Sequence, residues 1–339
     1  MTIGILGAGA TGGLIAARLA RAGQDVLCVA RGRHLEAMRS RGLRVIGPDG
    51  EFSAAPRCTE DLDELRGLET VFVTLKAHSL PALASQLAMV LRDTGTVITA
   101  QNGIPWWYFQ HHGGEYEGRH LESVDPGGAL ARGIDPSVLV GCVVYPATRI
   151  AEPGVIQHAE GNRLSLGEPG GSRSDRSLAV SGVLRAAGFK APITLRIREE
   201  IWLKLLGNAT FNPISALTGL GLTEIAGDVG GRELVRAFME EALAVACAFR
   251  VDVPLGIERR IDAAAGVHGH RPSMLQDVEQ GRPLEVEALL GAVVEMARIV
   301  AVPVPRLESL LGLTRLLDAS VRARSAARRG ESTETTIQP

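Results

Sequence analysis

Lys204, Asn208 and Asn212 stand at four-residue spacing within Glu199-Glu-Ile-Trp-Leu-Lys-Leu-Leu-Gly-Asn-Ala-Thr-Phe-Asn212. In a helix, positions i, i+4 and i+8 line up as one polar stripe. The other faces are apolar, through Ile201, Trp202, Leu203, Leu205, Leu206, Ala209 and Phe211. A helix that is apolar nearly all round is expected to be buried. Burying an ammonium and two carboxamides costs free energy unless each finds a partner. The stripe therefore reads as a site that holds a polar ligand.

A second group lies in His268-Gly-His-Arg-Pro-Ser273-Met-Leu-Gln-Asp277, followed by Gly-Arg-Pro-Leu-Glu285-Val-Glu287. Ser273 is positioned to cap a helix starting at Met274, which would commit part of its hydroxyl. Glu285 reads either as a stabilising acid in the first turn of an apolar helix or as a partner for Lys204.

The elements that must position these groups begin with Thr2-Ile-Gly-Ile-Leu6, then Gly7-Ala-Gly-Ala-Thr-Gly12, a helical Leu14–Ala22 and an apolar Asp25–Ala30. This is a strand, glycine turn, helix and strand. It is the context in which Gly7 makes the tight turn, Gly9 admits a pyrophosphate and Gly12 lets helix and strand approach. The helix N-terminus adds free N–H groups and a positive dipole end. At the end of the second strand an acid would select NAD, whereas an arginine accommodates the 2′-phosphate of NADP. The chain reads Val29-Ala-Arg31-Gly-Arg33-His34, with no carboxylate before Glu36. A bidentate Arg31 clamp makes NADP(H) the expected cofactor, a solvated loop arginine being the alternative. Thr70–Leu75 and Gly95–Ala100 read as further strands, leading into Lys76 and into Gln101-Asn102-Gly103. Ligands of doubly wound sheets bind at the carboxyl ends of the strands. Lys76 is thus expected near the adenosine phosphates and Asn102 near the nicotinamide.

Residues 104–140 depart from a compact unit: Pro105-Trp-Trp-Tyr-Phe109 holds 4 of the chain's 13 aromatic side chains, and a polar, glycine-rich stretch follows. The cluster reads as a lid or subunit contact, or as the anchor of a long loop. Val138–Pro146 and Gly154–Ser165 alternate like paired strands, Ser174–Ala187 is helical with Gly188 closing it, and Ile193–Arg196 makes a last strand. From Arg198 onward the pattern is helical, over 199–217, 230–250, 256–264, 283–300 and 306–328, punctuated at Pro213, Pro254, Pro272, Pro303 and Pro305. The resulting division is 1–196, 197–328 and a flexible tail, 329–339, basic and then polar from Arg322.

With 339 residues, 45% of them apolar and 22% charged, the chain has the length and composition of a two-domain soluble protein. Its net charge of −2 gives no footprint for nucleic acid or an anionic membrane. Cys28, Cys58, Cys142 and Cys247 are scattered, as free thiols of a reducing cytosol would be. His111-His112 and His268-Gly-His270 lack the cysteine or acidic company of a metal site, so no metal is expected. Met1–Ala20 is apolar but lacks the basic start of a signal peptide, and no uncharged run reaches the roughly 18 residues of a membrane span. A cytoplasmic protein is expected.

The chain resembles the ketopantoate reductase (2-dehydropantoate 2-reductase) family from residue 3 to about 305. The resemblance rests on GAGATG with Arg31, VTLKA around Lys76, QNG at Asn102, EEIWLKLLGNATFNPISAL and RPSMLQDVEQGRPLEVE. It implies an N-terminal α/β Rossmann-type dinucleotide-binding domain and an all-α C-terminal domain like that of 6-phosphogluconate dehydrogenase. The active site would lie in the cleft between them, and a homodimer would fit the family's habit. It implies Lys204 as general acid, with Asn102, Asn208, Asn212 and Ser273 binding the 2-oxo acid substrate, and Glu285 at the cofactor end. Cofactor contact would extend over Gly7, Ala8, Gly9, Ala10, Thr11 and Gly12, and to Ala147 in Tyr145-Pro-Ala-Thr-Arg149. An ammonium stabilises the alkoxide that develops when hydride reaches a carbonyl, and then donates the proton. His270, expected at the substrate, stands where the family often has asparagine. Glu285-Val-Glu287 replaces Glu-Ile-Asp, and Leu222 replaces a polar contact of some members. These departures fall on the substrate side. The alternatives are a reductase of another branched or aromatic 2-oxo acid, and a non-catalytic NADPH-sensing protein.

Overall fold

A computed structural model of the chain describes residues 2–254, 256–267, 269 and 271–334, with side chains to residue 328. Two compact units, Met1–Glu200 and Ile201–Pro339, divide at a point inside a helix.

The first unit opens with β1 (Thr2–Leu6), α1 (Ala10–Arg21) and β2 (Asp25–Val29). Then follow α2 (Gly32–Arg41), β3 (Leu43–Gly47), β4 (Gly50–Ala54), β5 (Arg57–Thr59) and β6 (Thr70–Val73). After α3 (Ala84–Val90), β7 (Thr96–Thr99) and α4 (Ala129–Gly133) come β8 (Leu139–Val144), β9 (Ala147–Glu152), β10 (Val155–Glu160), β11 (Leu164–Gly167) and α5 (Asp175–Ala186). The larger sheet has the order β11-β8-β7-β6-β1-β2-β5. All its neighbours are parallel except β11, which is antiparallel to β8. Its inner strands are buried along almost their whole length, which is why they read as continuous apolar runs rather than alternating ones. Strand order reverses at β1, with β2 on one side and β6 on the other. This is the switch point at which doubly wound sheets open a crevice.

A second sheet, β4-β3-β10-β9, lies against α1. The segment expected as one strand over 154–165 splits between the sheets. Val155–Glu160 pairs with β9 and β3, and Leu164–Gly167 pairs with β8. The break is Gly161, at φ +76°. The strand expected at Ile193–Arg196 is reduced to an isolated bridge, Leu166 to Ile193, because Pro192 has no N–H to extend a ladder.

The aromatic cluster is an internal anchor. Trp106, Trp107, Tyr108 and Phe109 are all buried. Trp107 Nε1 donates to Thr99 Oγ1 at 2.6 Å. Arg198 donates to the carbonyls of Tyr108, Pro169 and Gln110 at 2.9, 2.6 and 2.9 Å. Further along, the buried Asp125 carboxylate accepts from the Leu130 and Ala131 N–H groups at 2.8 and 2.9 Å and starts α4. A segment fastened in this way has its aromatic faces already covered, leaving none for a lid or partner.

Among its described residues, every regular element of the second unit is helical. It takes up α6 (Ile197–Thr218), then α7 (Leu222–Gly227), α8 (Val229–Ala248), α9 (Ile257–Ala265) and α10 (Ser273–Glu279). A π turn at Glu287–Gly291 leads into α11 (Ala292–Ile299), and α12 (Pro305–Glu334) follows. Pro213, expected at a join, lies inside α6. It leaves the Ala209 carbonyl without its helical donor, and surrounding burial carries the helix through. The helix expected from 283 starts later, at Val286; ahead of it, Leu284 N–H donates to Asp318 Oδ1 at 2.8 Å. The helical backbone of α12 runs on to Glu334, past the expected 328, while 335–339 of the expected tail lie outside the described residues.

Candidate active site

The glycine turn sits at the switch point. Gly7 has φ +98°, and a Cβ there would meet Leu75 N at 2.9 Å. The Gly7 and Ala8 N–H groups donate to Val29 O at 3.1 and 3.0 Å, tying the turn to β2. A Cβ on Gly12 would overlap Gly7 O and Thr74 Oγ1. Thr74 Oγ1 itself donates to Gly7 O at 2.7 Å, with Leu6 O at 3.1 Å. Beside Gly9 there is room: a Cβ would find only Gly7 O, at 3.9 Å. Space outside a turn that leads into the N-terminus of α1 fits a pyrophosphate.

Because β1, β2, β6, β7 and β8 are all parallel, their carboxyl ends share one edge of the sheet. That edge brings together Gly7–Gly12 after β1, Arg31 after β2, Lys76 after β6, Asn102 after β7 and Ala147 after β8. Ala8 is buried, Ala10, Thr11, Lys76, Asn102 and Ala147 are half-buried, and Arg31 is exposed. Gln101 Nε2 donates to Val73 O at 2.6 Å, linking the ends of β6 and β7. Its Oε1 is buried and meets no hydrogen-bond donor among the described residues. An acceptor left over at this edge suits a ligand carrying N–H groups, such as a nicotinamide carboxamide.

Two supports of the edge escape sequence reading: Thr74, which sits at the end of an apolar run, and His34. His34 Nδ1 accepts from Gly154 N–H at 3.1 Å, joining α2 to the β9–β10 turn. That bond needs a neutral ring with its proton on Nε2. Burial pulls the His34 pKa below the ordinary histidine value, with the Ala8 backbone opposing. A histidine with a depressed folded pKa stabilises the fold fully above its unfolded pKa of about 6.5 and loses that contribution as pH falls below it. The melting temperature is therefore expected to fall more steeply between about pH 7.5 and pH 5.5 in the wild-type protein than in His34→Gln. Equal slopes in a calorimetric pH series would remove His34 from the account.

In the second unit, α6 carries Lys204, Asn208 and Asn212 on one stripe. Lys204 and Asn208 are half-buried and Asn212 is only 7% exposed. Trp202, Leu205, Leu206, Ala209 and Phe211 are buried around them. The helix is held by Arg260 of α9, whose guanidinium donates to the Leu203 carbonyl, and by Thr210 Oγ1 on Leu206 O at 2.7 Å. Ser273 is the first residue of α10 and exposed. Pro272 occupies the N-cap, and no side-chain capping bond forms, contrary to the capping expectation. Glu285 precedes the helix rather than lying in its first turn, and is 8% exposed. His268 and His270 lie outside the described residues. Among the described residues, no cluster of three His, Cys, Asp or Glu side chains is placed to hold a metal, and no helix is long and apolar enough to cross a membrane.

Residues 3–171 match the family description "Ketopantoate reductase PanE/ApbA", and 196–318 match its C-terminal counterpart. The chain is 50% identical over 319 residues to a 2-dehydropantoate 2-reductase of Mesorhizobium japonicum, covering 94% of this chain and 98% of that one. A crystal structure of 2-dehydropantoate 2-reductase from Geobacter metallireducens superposes with TM-score 0.80 at 26% identity, over 93% of this chain and 99% of that one. The fold is also that of a D-mandelate dehydrogenase solved with NADH and anilino(oxo)acetate, with TM-score 0.80 at 19% identity over 95% and 99% of the two chains. With both halves of the family pattern matched and a relative at half identity along nearly its whole length, the chain belongs to the ketopantoate reductase family.

Proposed function

We propose that this protein reduces 2-dehydropantoate to pantoate with NADPH, a step toward pantothenate and coenzyme A. The observation that carries the reading is the Lys204-Asn208-Asn212 stripe on a buried helix, in a chain 50% identical to a protein of that name. The carboxyl edge of the first unit is assigned to the cofactor. Gly7–Gly12 admit its pyrophosphate, Arg31 clamps the 2′-phosphate, Lys76 faces the adenosine phosphates, and Asn102 and Ala147 lie toward the nicotinamide. When bound, the reduced nicotinamide supplies the hydride to C2 of the 2-oxo acid. Lys204 offsets the charge developing on the C2 oxygen and delivers the proton that completes the alcohol. Asn208 and Asn212 orient the carboxylate and the distal hydroxyl. Ser273, its hydroxyl uncommitted by capping, donates to the carboxylate. Glu285 keeps Lys204 charged and aimed, at the cofactor end of the site. His270 is assigned to the substrate on family resemblance.

Steady-state kinetics across a panel of 2-oxo acids, with NADPH and NADH, test this reading. The kcat/KM for ketopantoate is expected to exceed that for the isopropyl and phenyl analogues by on the order of 10⁴-fold, since a site built to bond the substrate hydroxyl leaves polar groups unpaired when it is missing. Faster turnover of either analogue would transfer the assignment to another branched or aromatic 2-oxo acid. NADPH binding with no turnover of any substrate would make the protein a sensor.

A further inference from the structure

Cys28 on β2 and Cys58 on β5 are direct register partners in adjacent parallel strands. Both are free thiols, Cys28 fully buried and Cys58 half-buried. Neighbouring strands run about 4.8 Å apart, inside the 4.4–6.8 Å window of Cα separations that a disulfide spans. The Cys28 S–H is directed at the Cys58 sulfur, and the Cys58 S–H in turn donates to Pro56 O at 3.2 Å. That bond from Cys28, opposed by burial and reinforced by the Arg39 guanidinium, lowers the Cys58 pKa; the same bond and burial push Cys28 well above the usual thiol range. A reachable thiol that gives up its proton more easily than an ordinary cysteine, next to a second thiol that holds its own more tightly, is the arrangement of a reactive cysteine and its resolving partner.

The pair lies one register step from the proposed cofactor edge. Val29 pairs with Thr59, and Ala30 N–H donates to Thr59 O at 3.0 Å, immediately before Arg31. Arg39 of α2 donates to Cys58 O at 3.1 Å, so the helix that begins after Arg31 is moored on the same residue. We propose that Cys28 and Cys58 form a reversible disulfide under peroxide, and that closing it weakens binding of the nicotinamide dinucleotide. Cys58 loses its proton, its thiolate attacks one peroxide oxygen to give a sulfenic acid, and the hydroxide released takes up that proton as water. The Cys28 sulfur then displaces the sulfenic oxygen as water, so that two thiols and one hydrogen peroxide give one disulfide and two waters. Drawing the β-carbons to about 3.8 Å pulls β5 onto β2 and shifts the end of β2 that precedes Arg31. The affinity effect rests on the cofactor reading above; the disulfide does not.

The test uses the full chain carrying Cys247→Ser, which removes the exposed thiol on α8. NADPH affinity is measured by fluorescence titration before and after hydrogen peroxide, then after dithiothreitol, with peptide mapping at each stage. The expected result is a Cys28–Cys58 cross-linked peptide and an intact mass lower by two hydrogens. The NADPH dissociation constant should rise about fivefold and return on reduction, and Cys58→Ser should be insensitive to peroxide. Both thiols still alkylatable after peroxide, or Cys58 over-oxidised without a cross-link, would overturn the disulfide. A cross-link with unchanged affinity would overturn its coupling to the cofactor. Absence of NADPH binding by the reduced protein would refute the cofactor reading alone, because the mapping stands without it.

Discussion

Replacing Lys204 with alanine is expected to lower kcat by about 10³-fold, the scale of losing a positioned acid and its charge at the reacting oxygen. The dissociation constant for NADPH should stay within about twofold, because the loss falls on the transition state rather than on cofactor binding. The direction follows from the helix that carries it. Lys204 is half-buried on α6 between the fully buried Trp202 and Leu205, where an ammonium acts with less screening than in water. The stripe continues through Asn208 to the buried Asn212, so the cation belongs to a continuous polar face. Truncation costs α6 little, since alanine is the best helix former, and an unchanged melting temperature reports that the helix stays packed. Lys204→Arg preserves the charge but replaces a point donor with a planar fork, and should recover only part of the rate. A parallel loss of activity and NADPH affinity would make Lys204 a structural residue.

That stripe could be read from sequence because a helix turns chemistry into period: a polar residue every fourth position in an apolar run has one geometric meaning. The glycine turn was legible for a similar reason, since Gly7 and Gly12 occupy places where a Cβ collides with Leu75, Gly7 O or Thr74. The second sheet was not. β4 and β9 are largely exposed, and charged pairs such as Arg44 with Glu51, 2.5 Å apart across β3 and β4, hold its edge, so no apolar alternation marks the strands. The supports of the carboxyl edge of the sheet were hidden by distance. His34 meets Gly154 120 residues away and Thr74 meets Gly7 67 residues away, and neither partner leaves a local pattern. The capping role open to Ser273 is not taken up for a local reason: Pro272, at φ −56° and ψ 152°, takes the capping position itself. The serine hydroxyl is therefore not spent on the helix.

Arg31→Ala is expected to raise the NADPH dissociation constant by about 30-fold and to leave that of NADH within about twofold. A charge-assisted hydrogen bond is worth about 1.5–3 kcal/mol, and each 1.4 kcal/mol is tenfold in affinity. Arg31 is exposed, which argues for the middle of that range, because water competes for the guanidinium. Its backbone is extended, at φ −140° and ψ 160°, and it occupies the N-cap of α2, whose first turn contains no acid. An anion there meets the arginine and the positive end of the helix dipole with no carboxylate to repel it. NADH differs only in lacking that phosphate, so the two cofactors isolate the contact. Arg33, exposed in the first turn of α2, supplies a second cation, and Arg33→Ala should cost less because it acts at longer range. Titrations of both variants with both cofactors, repeated at raised salt, separate a phosphate clamp from a general field: only the NADPH affinity of the wild-type protein should fall steeply with ionic strength. Equal losses for NADH and NADPH in Arg31→Ala would mean that the arginine shapes the β2–α2 turn and that cofactor choice resides elsewhere on the edge.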